Sequence, residues 1–205
     1  MTQPLPDSDR PGPDAPVQPD GRSSARIGTL GMALFLVSLS ALFAASIVGY
    51  LVVRSRAEAW PPPGMPALPA GLWASTVILL LSSVTMHWAL RSARLDRQAA
   101  LRAGMVATLV LGMAFLVSQI ANWSTLLAAH VTVSSSLYAF TFYTLTGLHA
   151  AHVLGGIVLL SVVTANAFRR RYSREDHAGV LYGTMYWHFL DAVWVVMFTL
   201  IFLIP

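Results

Sequence analysis

Five apolar segments constrain the fold of this chain more than any other feature. They cover residues 27–53, 70–92, 102–127, 135–168 and 179–204. About 20 apolar residues are enough for a helix to cross the hydrocarbon core of a bilayer, so each segment is long enough to span it. The fourth is overlong, which predicts a tilted or protruding helix. We therefore expect an all-α, polytopic membrane protein, with residues 27–205 as a domain of five transmembrane helices.

The composition agrees with this class. The chain has 205 residues, of which 56% are hydrophobic and 11% charged, and this is too apolar for a soluble domain of its size. It has no cysteine, which excludes disulfides, iron–sulfur clusters and thiolate chemistry. All its basic residues are arginines at the ends of apolar segments. A membrane therefore explains the basic charge better than a nucleic-acid partner does.

The arginines also predict the topology. Residues 1–26 are rich in Pro, Asp, Ser and Gly, and we expect them to form a disordered tail, not a signal peptide. Eleven of the 13 arginines lie in this tail and in the second and fourth connections. The positive-inside rule therefore places the N-terminus in the cytoplasm and the C-terminus outside, in a multi-pass protein of the plasma membrane.

The last apolar segment contains two ionisable residues, His188 and Asp191. Such groups are costly inside a bilayer and need a partner. They are three residues apart and share a face of a helix, so they could satisfy each other or a neighbour. Tyr186, Trp187 and Trp194 surround them in sequence, as packing aromatics or as part of a cofactor box.

The fourth segment carries His149 and His152, also three residues apart. They could be hydrogen-bonded packing residues between helices, ligands of a haem or metal, or parts of a proton relay. Gly147, Gly155 and Gly156 are small residues of the kind that let helices approach closely.

Depth in the membrane disfavours a haem held by two of these histidines. At 1.5 Å per residue, His188 lies roughly 13 Å from the cytoplasmic end of its helix and His152 roughly 24 Å from the same side. Asp191, roughly 18 Å deep, matches His152 better, and we predict a contact between them. No Glu or Cys lies in any span, so a metal site is weakly indicated, and no activated nucleophile is present. We expect no catalytic, metal-binding or cofactor-binding residue in this chain.

Three motifs in order carry a family resemblance. Residues 186–194 read Tyr-Trp-His-Phe-Leu-Asp-Ala-Val-Trp, residues 146–155 read Thr-Gly-Leu-His-Ala-Ala-His-Val-Leu-Gly, and residues 60–64 read Trp-Pro-Pro-Pro-Gly. Together they resemble subunit III of the haem–copper terminal oxidases, in the short five-helix form found in bacteria. The signature positions are Trp60, Gly64, Gly147, Tyr186, Trp187 and Trp194.

The resemblance implies a non-catalytic subunit of a proton-pumping oxygen reductase in the bacterial inner membrane. Haem and copper would lie in partner subunits, with subunit I as the main contact and subunit II as a further partner. Helices one and two would form one group and helices three to five another, around a cleft that holds phospholipid. The subunit would support proton uptake and the stability of subunit I. Arg26, Arg91 and Arg94 are candidate contacts for lipid headgroups.

The chain departs from the family pattern at two positions, and two other functions were also considered. Leu39 and Leu181 stand where family members often carry glutamate, which favours a structural, lipid-binding role here. An accessory membrane protein of nitric oxide reductase is one alternative function. A stand-alone membrane haem protein or small transporter is another. The sequence does not distinguish cytochrome c from quinol as the electron donor of the complex.

Overall fold

The computed structural model describes residues 21–203, with side chains from residue 27 to residue 202. This part of the chain contains five α-helices and no β-strand. They are α1 Gly21–Ser55, α2 Gly71–Arg94, α3 Gln98–Ala128, α4 Leu137–Phe168 and α5 Ala178–Phe198, and a π-helical turn, Thr199–Leu203, continues α5. All five helices are long and apolar enough to cross a membrane. The predicted fold class is confirmed.

Helices α1 and α3 extend beyond the predicted apolar segments at both ends, whereas α4 lies within its segment. Helix α1 begins at Gly21, whereas its apolar span begins at Ile27. Hydropathy marks the part of a helix that lies in hydrocarbon, and polar residues can continue the helix beyond it. Helix α4 has 32 residues and a length of about 48 Å, more than the hydrocarbon core of about 30 Å requires. Residues 1–20, which make up most of the predicted tail, lie outside the described part.

Helix packing does not follow the predicted division into helices one–two and three–five. Helix α2 packs most extensively along α3, and it also packs on α5, whereas α1 packs against α4 and α5. Three residues connect α2 to α3, which forces these helices to be antiparallel neighbours. The connection from α1 to α2 is longer, residues 56–70, and lets α1 dock elsewhere. The contacts among the described helices therefore differ from the predicted grouping, and the lipid cleft stays a prediction.

Close packing in the bundle depends on two glycines that face one tryptophan. The indole of Trp187 on α5 lies between Gly112 of α3 and Gly156 of α4. A Cβ atom at Gly112 would be 2.7 Å from this ring, and one at Gly156 would be 3.1 Å from it. Lipid supplies no hydrophobic driving force between helices, so such close van der Waals contact is a main source of their association. Gly147, by contrast, has no atom within 4 Å of an added Cβ, so its predicted role in close approach is not found.

The connection between α1 and α2 is tied to three helices through Trp60. Its Nε1 donates to the Tyr50 hydroxyl of α1 at 3.2 Å, and that hydroxyl donates to the Leu200 carbonyl at 3.3 Å. The Trp60 ring also meets the Tyr138 ring of α4 edge-on, with centroids 5.0 Å apart. Gly64 follows with φ +84°, a conformation that favours glycine. The signature loop Trp60–Gly64 therefore packs at one end of the bundle.

We expect Gly112→Ala to lower the unfolding temperature of the chain in detergent, because the new methyl group must displace the Trp187 ring. Overpacking of this kind costs about 1–3 kcal/mol. Gly147→Ala is the matched control, since it adds the same methyl to a helix in open space. It should leave the unfolding temperature unchanged or raise it, because alanine favours the helix over glycine. Equal unfolding temperatures for the two variants would contradict this account of the packing.

Candidate functional site

Two tryptophans of α5 bond to hydroxyl groups of α2. Trp187 Nε1 donates to Ser82 Oγ at 2.9 Å, and Trp194 Nε1 donates to Thr76 Oγ1 at 3.0 Å. All four side chains are buried. Buried indole N–H groups need an acceptor, and these two bonds lie about two helical turns apart on α5. They fix the rotation of α5 against α2, so these signature tryptophans pack between helices.

The third signature aromatic of α5 bonds to α4. The Tyr186 hydroxyl donates to the backbone carbonyl of His152 at 3.0 Å. His152 itself uses Nδ1 to bond the Leu148 carbonyl one turn earlier, at 2.8 Å. Its ring also packs against Phe43 of α1, with centroids 5.1 Å apart. The residue therefore lies where α1, α4 and α5 meet.

His149 occupies an aromatic enclosure in the centre of the bundle. It is fully buried, and its ring lies 5.2 Å from Trp194, 5.8 Å from Phe115 and 6.3 Å from Phe43, measured between centroids. Neither ring nitrogen has a hydrogen-bond partner among the described residues. The packing interpretation therefore describes its surroundings, but the hydrogen bond expected with it is not found.

Asp191 is buried and faces α2. Its Oδ2 lies 3.6 Å from Nδ1 of His188, which is too far for a hydrogen bond but close enough for a direct electrostatic interaction. The same Nδ1 is 2.7 Å from the Ser83 hydroxyl of α2. Neither carboxylate oxygen has a hydrogen-bond partner among the described residues. The interaction of His188 with Asp191 on one helix face is the one expected from their spacing.

The predicted contact between Asp191 and His152 is wrong. His152 bonds within α4 and packs on α1, whereas Asp191 lies beside His188 and Ser83. The prediction compared only the heights of the two residues in the membrane. It did not consider the rotation of α5 about its axis, which the tryptophan bonds to α2 set.

A further histidine adjoins this group. His87 of α2 is exposed, and its ring centroid lies 6.3 Å from that of His188. No three His, Asp or Glu residues in the described part of the chain converge in a way that could hold a metal ion. His188 contacts His87 on one side and Asp191 on the other, and His149 of α4 packs against Trp194.

A polar network between α2 and α3 was not predicted from the sequence. Asn122 Nδ2 donates to Ser75 Oγ at 3.1 Å, and the Ser75 and Ser118 hydroxyls are 2.7 Å apart. The Asn122 carbonyl oxygen lies against Gly71, where any side chain would collide with it. The signal that could have revealed the network is the pair Ser118 and Asn122, four residues apart in an apolar span and so on one helix face.

The remaining candidate residues are distributed over the surface and the core. Arg91 and Arg94 are exposed at the end of α2, and the side chain of Arg26 lies outside the described residues. Leu39 is buried in the hydrophobic core, and Leu181 is partly buried against that core. The two leucines thus take part in apolar packing at the positions where the resemblance led us to consider glutamate.

Comparison with known proteins identifies the family. Residues 22–204 match the family model described as cytochrome c oxidase subunit III. The chain is 38% identical to cytochrome c oxidase subunit 3 of a Synechocystis species, over 85% of this chain and 74% of the relative. It is 32% identical to the subunit 3 of Thermostichus vulcanus, over 85% and 86%. It is 30% identical to a probable subunit 3 of Mycobacterium leprae, over 86% and 87%.

The family match covers all five helices and the three motifs described above. Relatives of this similarity support the oxidase interpretation over the alternatives that the sequence left open. The chain therefore belongs to the cytochrome c oxidase subunit III family, as a multi-pass inner-membrane subunit of a multi-subunit haem–copper oxidase.

Proposed function

We propose that this chain is a non-catalytic subunit that supports the haem–copper centre held by its partner subunits. The observation that carries the proposal is the use of polar groups in its spans. Trp187, Trp194 and Asn122 bond hydroxyl groups of α2 and so join helices to one another. Polar groups used in this way serve rigid helix packing and are not arranged around a reaction centre.

Subunits I and II of the oxidase are the partners we propose, with subunit I as the main contact. Haem and copper would be bound by those subunits, and they supply the oxygen chemistry. The role of this chain would be to cover part of subunit I, to keep its proton entrance in a defined shape and to prolong its working life. A rigid bundle suits this role, because the lipid around a subunit exchanges whereas a packed protein surface does not.

Deleting the chain tests the functional proposal. We expect the remaining oxidase to retain most of its initial oxygen reduction but to inactivate after fewer turnovers. Oxygen consumption is followed over many turnovers, with haem and copper content measured in each preparation. Restoring the wild-type chain from a plasmid is the control and should restore the longer working life. Loss of the first turnovers in a fully metallated complex would contradict a supporting role.

We also propose that phospholipid binds at the C-terminal end of α2. Arg91 and Arg94 are exposed there, one helical turn apart, and a guanidinium binds phosphate oxygens through paired hydrogen bonds. The cleft predicted between helices one–two and three–five is not part of this proposal, because α2 packs along α3. The lipids would instead lie at the edge of the subunit, beside its partner.

Replacing both arginines tests this lipid site. Arg91→Gln with Arg94→Gln should reduce the anionic phospholipid retained by the purified oxidase, since each arginine near a membrane surface contributes about 1 kcal/mol. Native mass spectrometry measures the retained lipid. The control is Arg170→Gln with Arg174→Gln, which removes the same charge from the exposed connection between α4 and α5. Equal lipid retention in the two double variants would refute the site.

We propose that the N-terminus lies in the cytoplasm and the C-terminus outside, because most arginines lie in the tail and in the second and fourth connections. The natural chain has no cysteine, so a single introduced cysteine can be labelled uniquely. Ser134→Cys, in the connection between α3 and α4, should react with a membrane-impermeant maleimide in intact spheroplasts. Glu175→Cys, in the connection between α4 and α5, should react only after the membrane is opened. The reverse pattern would invert the proposed orientation.

A further inference from the structure

Exposed polar side chains on the spans differ in how their hydrogen bonds are satisfied. Ser38, Ser40 and Ser46 of α1 each donate to a carbonyl four residues earlier, at 2.7–3.1 Å. Ser124 of α3 and Ser161 of α4 do the same. Because each hydroxyl bonds its own helix, these residues can face lipid without a partner from another chain.

His87 of α2 and His188 of α5 do not bond the carbonyl groups of their own helices in this way. His188 uses only Nδ1, at 2.7 Å from Ser83 Oγ and 3.6 Å from Asp191 Oδ2. Its Nε2 has no hydrogen-bond partner among the described residues, although 36% of the side chain is exposed. His87 is also exposed and, within the same part of the chain, makes a ring contact with His188 but no hydrogen bond. We call Ser83, His87, His188 and Asp191 the α2–α5 seam.

The Ser83 hydroxyl can donate to Nδ1 of His188 or accept from it, so the buried carboxylate is the group that favours one tautomer. A carboxylate beside Nδ1 favours the tautomer that carries its proton there, and Nδ1–H then donates to Ser83 Oγ. In this tautomer Nε2 is unprotonated and is a free acceptor. The oxygens of Asp191 are covered by this chain, so Asp191 orients the imidazole and does not itself reach the surface.

The depth of the seam limits what can supply the missing hydrogen bond. His188 lies roughly 15 Å along α5 from Ala178, near the middle of a hydrocarbon core about 30 Å thick. Acyl chains carry no hydrogen-bond donor, and lipid headgroups and water do not reach this depth. A second copy of this chain, whose neutral histidines each carry one N–H donor, is the competing occupant, and crosslinking distinguishes it. A donor side chain on a transmembrane helix of a different subunit fits the seam.

We propose that the α2–α5 seam is the docking surface for a transmembrane helix of the haem–copper-bearing subunit, with a donor side chain bonded to Nε2 of His188. Asp191 is a positioning residue for this contact. His87 is a second polar side chain of the docking surface, beside His188. The inference rests on the proposed function, because that function supplies the partner.

The first test measures how much of the haem–copper subunit co-purifies with variants of the full chain in detergent. His188→Leu should reduce retention by about tenfold, the effect expected for loss of one well-placed hydrogen bond at a dry interface. Ser161→Leu is the matched control, because it also converts an exposed polar residue of a span to leucine. It should retain the partner normally.

Asp191 is tested through a conservative and a non-conservative variant. Asp191→Asn keeps an oxygen that can interact with Nδ1–H and should retain most of the partner. Asp191→Leu should lose it to the same extent as His188→Leu. The unfolding temperature of the isolated full chain should not fall in Asp191→Leu, since that change removes a buried unpaired charge. A lower unfolding temperature together with normal retention would place the role of Asp191 inside this chain and overturn the proposal.

Photocrosslinking identifies the occupant directly. A benzoylphenylalanine in place of Val84, an exposed residue of α2 next to Ser83, should crosslink to the haem–copper subunit in membranes. The same probe in place of Val158, exposed on α4, is the control and should give less of this product. Crosslinks from Val84 only to lipid or to a second copy of this chain would overturn the proposal. Failure of the wild-type chain to co-purify with any haem–copper subunit would refute both this inference and the proposed function.

Discussion

Two indole hydrogen bonds, from Trp187 to Ser82 and from Trp194 to Thr76, hold α5 against α2. Hydrocarbon offers no hydrogen-bond acceptor for an N–H group. Breaking either bond would therefore leave the indole N–H unpaired. The bonds also set the rotation of α5. That rotation brings His188 and Asp191 to α2 and Tyr186 to α4. The polar arrangement of the bundle depends on it.

The five spans were predictable because the length and hydropathy of a segment are properties of that segment alone. The grouping of the helices was not, because it depends on which faces meet. Helix α1 illustrates the difference: 17% of its most apolar stretch is buried, compared with 44% for the last span. Its composition marks it as a membrane helix, but its position against α4 and α5 follows from packing and from the long connection that Trp60 anchors.

The candidate site shows the same limit at the level of single residues. The spacing of His188 and Asp191 predicted that they share a helix face, and they interact at 3.6 Å. Height in the membrane predicted His152 as the partner of Asp191, which was wrong because height says nothing about direction around the helix axis. The bond between Asn122 and Ser75 was missed because most serines in these spans bond their own helix, as Ser75 also does.

Polar side chains in the spans of this chain have two different uses. Trp187, Trp194 and Asn122 are satisfied inside the bundle, and their bonds stabilise the fold whether or not another subunit is present. The outward nitrogen of His188 is not satisfied there, although Asp191 behind it is held in place by the same packing. A polar group that the fold orients but does not pair contributes little to the stability of the isolated chain. Its energetic value arises when a neighbour supplies the missing bond, so in this membrane subunit rigidity and recognition depend on different residues of the same helix.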